Sequence, residues 1–356
     1  MNTGVFWQEA LSASSTVLSV IVVFGALIFL HELGHFAAAK LSGVRVFDFA
    51  LGYGPILWQK FWRGTRYSIR YFPLGGFVRM AGMDDTPADV EVIPAPEERF
   101  DHKPLWQRIL IIFSGPAMNL FTAFLLIAIY LMTISIPPTV FNVAPDSPAA
   151  EGGLMPGDSF LSIEGQPVKS LDEVLSFIRT HDGQALDMVV KRGDEEIGLV
   201  VTPRYNAEYE SVMIGAELHE QRALAPPTAI KAAIQETWRW SVLILDYLGQ
   251  MITGKVQPEV SGPVGIVVMT GAAAQEGLAA LIRWAVLLNI NLGLFNLFPI
   301  PLLDGFWIIL MIFEAVRRKP LAPEQRGMAQ FVGLALLMLL MVFATYQDLL
   351  RFIPGL

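Results

Sequence analysis

Four long runs of apolar residues divide the sequence. They cover approximately residues 16–40, 109–136, 278–303 and 328–346. A helix needs about 20 predominantly apolar residues to cross a bilayer, and each run reaches or approaches that length. The third run also holds Arg283 and three asparagines, but it remains predominantly apolar. The pattern therefore predicts a polytopic α-helical membrane protein with four transmembrane helices.

Region 47–80 lacks a long apolar run and instead shows the short alternation of a β-strand. Polar and apolar residues alternate over 66–71, and the pair Gly75-Gly76 follows soon after, which is typical of a β-strand that ends in a turn. We therefore expect a membrane-associated β-hairpin. It either re-enters the membrane with its edge covered by protein or remains in the cytoplasm. Residues 81–103 are acidic and rich in proline, which indicates a surface linker.

Region 137–205 alternates short apolar runs with clusters of proline, glycine and aspartate. Such turn residues bound short strands, so we expect one small α+β domain here. A helix is predicted at residues 171–180, because Ser170 can serve as its N-cap and Glu173 follows three residues later.

Residues 206–277 are predicted to form a linker with one helical stretch at about 228–254. This stretch carries four charged residues together with Trp238, Trp240 and Tyr247, which suit the interface between water and lipid. We interpret it as an amphipathic helix on the membrane surface. A fifth transmembrane span is the alternative.

Composition agrees with a membrane protein and excludes several functions. Charged residues are 16% of the chain, against about 25% in soluble proteins. The net charge is -8, and the sequence has no separate stretch of basic residues. We therefore expect no nucleic-acid partner. There is no cysteine, which excludes disulfides and thiolate ligands. A metal site must therefore use histidine, carboxylate or backbone oxygen.

The distribution of lysine and arginine orients the spans, since positive loops favour the cytoplasmic side. The loop between the first two spans holds Arg45, Lys60, Arg63, Arg66, Arg70, Arg79, Arg99 and Lys103, and the loop between the last two holds Arg317, Arg318, Lys319 and Arg326. We therefore predict that both loops are cytoplasmic. Both termini and the region from 137 to 277 would then lie outside the cytoplasm.

The motif HELGH ends the first apolar run. Its histidines, His31 and His35, lie four residues apart on one face of a helix, where two imidazoles can bind one zinc ion. Glu32 can act as the general base. The alternative is that these two histidines and Glu32 only form hydrogen bonds and bind no metal. An ionisable group within an apolar span, however, indicates function. From Thr16 to His31 the helix rises about 22 Å in a hydrocarbon core of about 30 Å, so the motif lies nearer the cytoplasmic face.

A catalytic zinc ion needs a third protein ligand and one open position. The other histidines are poor candidates, because His181 and His219 fall on the opposite side of the membrane and His102 lies in a polar linker. Asp304, in NLFPIPLLDG at the predicted cytoplasmic end of the third span, is the better candidate. An ordinary helix-capping role for this aspartate is the alternative.

Six motifs spread over almost the whole chain resemble the site-2 proteases, which are intramembrane zinc metalloproteases. The resemblance is strongest to their bacterial RseP-like branch. The motifs occur in the family order: HELGH (31–35), GYGP (52–55), PLGGFVRM (73–80), SGPAMN (114–119), SGPVGI (261–266) and NLFPIPLLDG (296–305).

This resemblance implies roles for individual residues. The zinc ligands would be His31, His35 and Asp304, one ion per chain, with Glu32 as the catalytic base. A membrane-reentrant hairpin ending at Leu74, Gly75 and Gly76, together with Asn296 and Asn291, would hold the substrate backbone. Helix–helix hydrogen bonding is the alternative for the two asparagines. Structural support near the site would come from Gly115, Pro116 and Asn119.

The small domain resembles a PDZ domain through APDSPAAEGGLMPGD (144–158) and FLSIEGQPV (160–168). The RseP-like branch often carries two PDZ domains, and this chain has room for one. Its carboxylate-binding loop is not recognisable in residues 135–143. We therefore expect a steric gate against bulky ectodomains rather than capture of peptide C-termini.

The resemblance implies hydrolysis of peptide bonds in or near the transmembrane segments of single-pass membrane proteins. These substrates, such as anti-sigma factors or remnant signal peptides, would first be trimmed by another protease. The expected location is the bacterial inner membrane, with the lipid bilayer as a further partner. Two rival functions are a transporter, whose usual internal repeats are not visible, and a catalytically silent PDZ scaffold, which has no need of Glu32.

Overall fold

A computed structural model describes residues 3–83, 94–207, 209–256, 261–319 and 321–352. The chain divides into two compact units, one of Met1–Ala128 with Lys231–Leu356 and one of Ile129–Ile230. The helices are α1 (Thr3–Leu41), α2 (Leu105–Thr133), α3 (Pro148–Glu151), α4 (Leu171–Thr180), α5 (Pro226–Ile252), α6 (Pro263–Glu276), α7 (Leu278–Phe295), α8 (Asp304–Arg317) and α9 (Pro323–Phe352).

The strands occur in two regions of the chain. They are β1 (Val46–Trp62), β2 (Thr65–Met80), β3 (Ile136–Val143), β4 (Ser159–Ile163), β5 (Gln166–Pro167), β6 (Leu186–Arg192), β7 (Glu195–Val201), β8 (Arg204–Asn206), β9 (Ser211–Met213) and β10 (Ala216–Gln221). Residues 94–103 of the predicted surface linker include two short 3₁₀ turns, and residues 84–93 of that linker lie outside the described residues.

Four helices of the described chain are long and apolar enough to cross a membrane. They are the segments Ser14–Leu41, Leu105–Thr133, Leu278–Phe295 and Glu324–Phe352. They match the four predicted spans in number and order, because about 20 apolar residues are needed for each crossing. Their bounds differ from the predicted ones by a few residues, except at the third span.

The third span ends earlier than predicted. Helix α7 stops at Phe295, eight residues before the predicted end, because Pro299 and Pro301 cannot donate helical hydrogen bonds. Leu302 adopts φ +85°, and a separate helix, α8, begins at Asp304. Placing Asp304 at the end of the third span was therefore wrong: it is the first residue of a helix that the apolar pattern did not predict.

Helix α6 was also not predicted, since its residues were assigned to a linker. It packs against α1, where Gly271 lies so close to Thr16 that an added Cβ would be 2.6 Å from the threonine methyl carbon. The backbone N–H groups of Gly262 and Gly265 donate to the Asp348 carboxylate on α9 at 3.1 and 2.7 Å. This buried carboxylate caps the N-terminus of α6 and joins it to α9.

The predicted hairpin of residues 47–80 is present as β1 and β2. Both strands bend, so that residues 46–51 lie between residues 76–80 on one side and residues 66–69 on the other, while 56–62 pair with 65–70. Glycines permit the bends, because Gly52, Gly54 and Gly75 have φ of +89°, +86° and +119°. The result is a curved sheet of four segments.

One buried carboxylate stabilises this sheet. Asp48 is 0% exposed, and it forms ion pairs with Arg66, whose Nε is 2.5 Å from Oδ1, and with Arg79, whose Nη1 is 3.5 Å from Oδ2. Each arginine comes from one of the two segments that flank residues 46–51. Because a buried charge is costly without partners, these pairs help to fix the register.

The unit Ile129–Ile230 is the predicted small α+β domain. Its six-stranded sheet has the order β10-β3-β4-β6-β7, with β5 paired to β4. The domain extends past its predicted end at residue 205, because β10 pairs with β3. Helix α4 occupies the predicted residues, and the backbone N–H of Glu173 donates to Ser170 Oγ at 3.3 Å.

Helix α5 has the amphipathic character predicted for residues 228–254. Ile230, Ile234 and Trp238 lie four residues apart and are 45%, 58% and 72% exposed, so they form an apolar stripe along one face of the helix. A stripe of this kind suits the membrane surface. Its location on the surface rather than across the membrane stays a prediction.

Candidate metal centre

The two histidines of HELGH face the same point. Helical spacing of four residues puts His31 and His35 one above the other on α1, and their Nε2 atoms are 3.2 Å apart. Both side chains are buried, with 8% and 6% of their surface exposed. Two neutral imidazoles in this position offer two nitrogen ligands to one ion.

Asp304 supplies a third ligand atom from the other end of the sequence. Its Oδ2 atom lies 3.2 Å from His31 Nε2 and 3.5 Å from His35 Nε2. The loop before α8 makes this possible, because the backbone N–H of Gly305 donates to Asn296 O at 2.7 Å. A Cβ on residue 305 would lie 2.1 Å from Leu297 O, so only glycine permits this closure.

The three ligand atoms fit a tetrahedral ion. Bonds of about 2.0–2.1 Å in tetrahedral geometry separate neighbouring ligand atoms by about 3.3 Å, and the observed separations are 3.2, 3.2 and 3.5 Å. Within the described part of the chain, buried Asp304 Oδ2 has no hydrogen-bond partner of acceptable geometry. The donor set therefore suits a metal ion better than hydrogen bonding alone.

The outer nitrogens of the two imidazoles are also engaged. His35 Nδ1 lies 2.9 Å from Ile111 O, so it donates a proton to that carbonyl and leaves Nε2 free to bind a metal. His31 Nδ1 lies 3.1 Å from the side-chain amide nitrogen of Asn119, which is 0% exposed. Both contacts are with α2, and such outer partners fix the orientation of metal-binding histidines.

Glu32 lies beside the ligands and next to the curved sheet. Val78 of the sheet lines the same cavity as Glu32. Gly76 is close as well, since a Cβ at that residue would lie 3.2 Å from Glu32 Cγ. Glu32 therefore packs against the strand segment 76–80 at the wall of the cavity.

These groups share one cavity of about 380 Å³. Helix α1, the hairpin and the loop that follows α7 contribute most of its walls. The lining residues are Ile28, His31, Glu32, His35, Tyr53, Gly75, Gly76, Phe77, Val78, Met80, Met83, Ile112, Leu292, Asn296, Leu302 and Asp304.

The predicted site residues fall into two groups in the structure. Gly75, Gly76 and Asn296 line the cavity with the three ligands and Glu32, whereas Asn291 is not among its lining residues. Leu74 belongs to β2, and its side chain lies outside the described residues.

The three residues predicted as structural support lie behind the ligands. Asn119 contacts His31, and a Cβ on Gly115 would reach His35. Pro116 O lies 3.0 Å from the position of a Cβ on Gly293 of α7. These residues therefore bring α2 close to both α1 and α7.

Tyr53, Phe77 and Val78 are among the lining residues that were not singled out from the sequence. The Tyr53 hydroxyl donates to Gly76 O at 2.9 Å. Burial, together with the nearby negative charge of Glu32, raises the pKa of Tyr53, so the phenol keeps the proton that it donates. The sequence signal that could have identified these three residues is their position within the motifs GYGP and PLGGFVRM.

Comparison with known proteins identifies the family. The sequence profile of Peptidase family M50 matches residues 19–340. The chain belongs to this family. The resemblance to the site-2 proteases and the expectation of a metalloendopeptidase are thereby confirmed, and the four apolar helices make the M50 chain an integral membrane protein.

Two curated relatives of this M50 chain match along nearly their full length. The zinc metalloprotease RasP of Geobacillus kaustophilus is 32% identical, over 95% of this chain and 98% of the relative. The regulator of sigma-W protease RasP of Bacillus subtilis is 30% identical, over 95% and 99%. Among solved structures, the PDZ domain of an SdrC-like protein from Listeria monocytogenes is 26% identical over 23% of this chain and 86% of that domain, with a TM-score of 0.22.

Replacing Gly115 with alanine tests how tightly α2 packs against the ligand His35. The added Cβ would lie 2.2 Å from His35 Nε2, so the imidazole must leave its present position. We expect Gly115→Ala to lower the affinity for a divalent metal by roughly 10–100-fold, the range found when the surroundings of a ligand are disturbed. Metal bound per purified chain, measured by mass spectrometry during titration with a chelator, reports this affinity.

The matched control is Gly249→Ala in α5, where no atom lies within 4 Å of the added Cβ. This variant should bind metal as the unaltered chain does. Equal metal affinity in Gly115→Ala and Gly249→Ala would contradict the position assigned to His35.

Proposed function

We propose that this chain is an intramembrane zinc metalloprotease that hydrolyses peptide bonds in or near the transmembrane segments of single-pass membrane proteins. The observation that carries the proposal is the convergence of His31, His35 and Asp304 Oδ2 at tetrahedral spacing, with Glu32 in the same cavity. A relative that aligns along nearly its whole length is named a zinc metalloprotease. Membership in a peptidase family argues against the transporter and the silent scaffold.

The proposed ligand set is two imidazoles and one carboxylate, for one Zn²⁺ per chain. Zinc bound by three protein ligands in a catalytic site keeps a fourth position for water or substrate. When bound, it supplies a Lewis acid for the scissile carbonyl and lowers the pKa of water to about 7. The chain itself must then handle protons and hold the substrate.

Glu32 is the proposed general base and acid. Its carboxylate accepts the proton of the attacking water and later delivers it to the leaving amine. Glu32 packs against Gly76 and lines the same cavity as the three ligands. This position allows Glu32 to carry out both proton transfers.

The substrate must unwind before it can be cleaved, because a helical peptide bond is shielded and already hydrogen-bonded. Its freed backbone groups need new partners in a dry site. In the described sheet, residues 76–80 pair on one side with residues 46–51, and residues 75–78 line the cavity. We propose that the substrate adds to this edge as a strand, with the side-chain amide of Asn296 holding another backbone group. Asn291 and Leu74 keep the supporting substrate roles that the resemblance implies.

The proposed orientation follows from the charged loops. The active site lies towards the cytoplasmic side of a bacterial inner membrane, and both termini and the PDZ-like domain lie outside the cytoplasm. In this arrangement the hairpin re-enters the membrane, because it shares a cavity with a span that holds two of the three metal ligands.

The proposed substrates are single-pass proteins that another protease has already trimmed, such as anti-sigma factors or remnant signal peptides. A relative named a regulator of sigma-W protease supports the first group. The PDZ-like domain would act as a steric gate that excludes bulky ectodomains.

The substitution Glu32→Gln separates the proposal from its rivals. It removes the proton acceptor but none of the three ligands, so zinc content should stay at about one per chain while cleavage falls by at least roughly a hundredfold. The measurements are zinc per purified chain and cleavage of a model transmembrane substrate in proteoliposomes.

Two forms of the substrate serve as comparison, one with and one without a folded ectodomain. The trimmed form should be cleaved faster by the unaltered chain, and Glu32→Gln should cleave both forms far more slowly than the unaltered chain does. Cleavage that survives the substitution would contradict the protease, and equal cleavage of both forms would contradict only the gate.

Asn119 is proposed as a positioning residue for His31. For His31 Nε2 to bind a metal, its Nδ1 must carry the proton, and the Asn119 amide oxygen must accept it. The nitrogen now lies 3.1 Å from Nδ1, while the amide oxygen is buried without a partner among the described residues. Because the two ends of an amide exchange by rotation, turning the group supplies the required acceptor.

Asn119→Ala should therefore weaken zinc binding by roughly 10–100-fold, the usual effect of losing an outer partner of a ligand. Asn119→Asp should retain the affinity, because a carboxylate also accepts the Nδ1 proton. Chelator competition measures both values without reference to activity. Equal affinities in the alanine and aspartate variants would contradict the role of the amide.

A further inference from the structure

A second cavity lies between α1 and the hairpin and shares no lining residue with the metal cavity. It has a volume of about 610 Å³. We call it the hairpin groove. Phe29, Leu33 and Phe36 of α1 form one wall, and Trp58, Lys60 and Trp62 of β1 form part of the other. The groove is thus almost entirely apolar, with a lysine among its lining residues.

The position of the groove limits what can enter it. Its α1 wall belongs to the candidate span Ser14–Leu41, so the groove opens where lipid surrounds the helix. Trp58 and Trp62 are 53% and 55% exposed, and tryptophan prefers the level of the lipid headgroups. A lipid acyl chain fits an apolar groove at this depth, and the exposed indoles mark where its headgroup would lie.

The hairpin carries an excess of positive charge. Residues 46–80 contain five lysines and arginines, but Asp48 is their only acidic residue. Asp48 is already paired with Arg66 and Arg79, and Arg70 donates to Gly54 O at 3.0 Å. Among the described residues, Lys60 and Arg63 form neither an ion pair nor a side-chain hydrogen bond.

Both unpaired cations lie at the groove. Lys60 lines it directly. The Arg63 guanidinium carbon lies 4.6 Å from the centre of the Trp62 ring, and Trp62 lines the groove. A buried hydroxyl is also available, because Ser68 lines the groove with 4% of its surface exposed and its Oγ atom has no hydrogen-bond partner in the described chain. The site combines an apolar slot with two free positive charges.

We propose that the hairpin groove binds an anionic phospholipid, with one acyl chain between α1 and the hairpin and the phosphate between Lys60 and Arg63. The two cations favour this lipid over a zwitterionic one, whose own ammonium group opposes them. Because the same sheet contributes residues 75–78 to the metal cavity, the bound lipid would hold the sheet against α1. The lipid site itself does not depend on the proposed protease function.

Lipid binding to the purified full-length chain tests the proposal. Native mass spectrometry would compare added phosphatidylglycerol with phosphatidylcholine of identical acyl chains. We expect the unaltered chain to bind phosphatidylglycerol roughly tenfold or more tightly, given the attraction of two cations near a phosphate. The double variant Lys60→Gln/Arg63→Gln should lose this preference.

The matched control is Arg317→Gln/Arg318→Gln, which removes two charges from the end of α8 and should keep the preference. Trp58→Ala should weaken the binding of both lipids, because it opens the apolar wall. Equal binding of the two lipids by the unaltered chain would overturn the proposal. So would a preference that survives in Lys60→Gln/Arg63→Gln, or competition by inorganic phosphate alone, which would indicate an anion site without an acyl chain.

Discussion

The meeting of two imidazole nitrogens and one carboxylate oxygen inside an apolar helix bundle is the constraint on which the rest of this structure depends. Polar groups buried in this way are costly unless they are paired. Here each ligand atom faces the other two at 3.2–3.5 Å, a spacing that a tetrahedral metal ion satisfies. The ion would therefore stabilise the arrangement as well as provide its chemistry.

Close backbone contacts make this meeting possible. A Cβ on Gly34 would lie 2.1 Å from Ser114 O, and one on Gly115 would lie 2.2 Å from His35 Nε2, so α1 and α2 approach more closely than larger residues allow. Gly305 permits an equally tight loop before α8. The glycines of HELGH, SGPAMN and LLDG thus have a common physical role. Each lies where a Cβ atom would collide with the backbone of another segment or with the ligand His35.

The curved sheet borders both the metal cavity and the hairpin groove. Its segment 76–80 borders the metal cavity, while Trp58 and Trp62 line a groove against the same helix. Asp48 pairs with Arg66 and Arg79, and these ion pairs help to fix the register between segment 46–51 and the segments on either side of it. A change that moves the sheet relative to α1 would therefore affect both the proposed substrate edge and the packing of Gly76 against Glu32.

Much of this architecture could be predicted from the sequence, because its signals are strong and local. The four spans follow from length and apolar character, and the HELGH spacing gives two ligands on one helical face. The break between α7 and α8 could not be located by hydropathy, because apolar residues continue through the two prolines up to Asp304. Helix α6 is short and apolar on all sides, so it lacked a periodic pattern.

Contacts between distant segments of the chain also could not be predicted from the sequence. Strand β10 reads AELHEQ, and its place in the sheet depends on pairing with β3, whose paired residues lie 73 to 85 positions earlier in the chain. The contact of Asn119 with His31 spans 88 residues, and the motif resemblance indicated its neighbourhood but not its hydrogen bond. Tyr53 lines the cavity beside the bend of β1 at Gly52 and Gly54, and the alternation of polar and apolar residues does not locate that bend.

The claim that Asp304 meets the two histidines at one metal ion can be tested directly, because the chain contains no cysteine. The substitution Asp304→Cys places a single sulfur atom at the proposed third ligand position. X-ray absorption at the zinc edge should then show a zinc–sulfur distance of about 2.3 Å in the variant and only nitrogen and oxygen ligands in the unaltered chain. Zinc bound by the variant without a sulfur ligand would contradict the account.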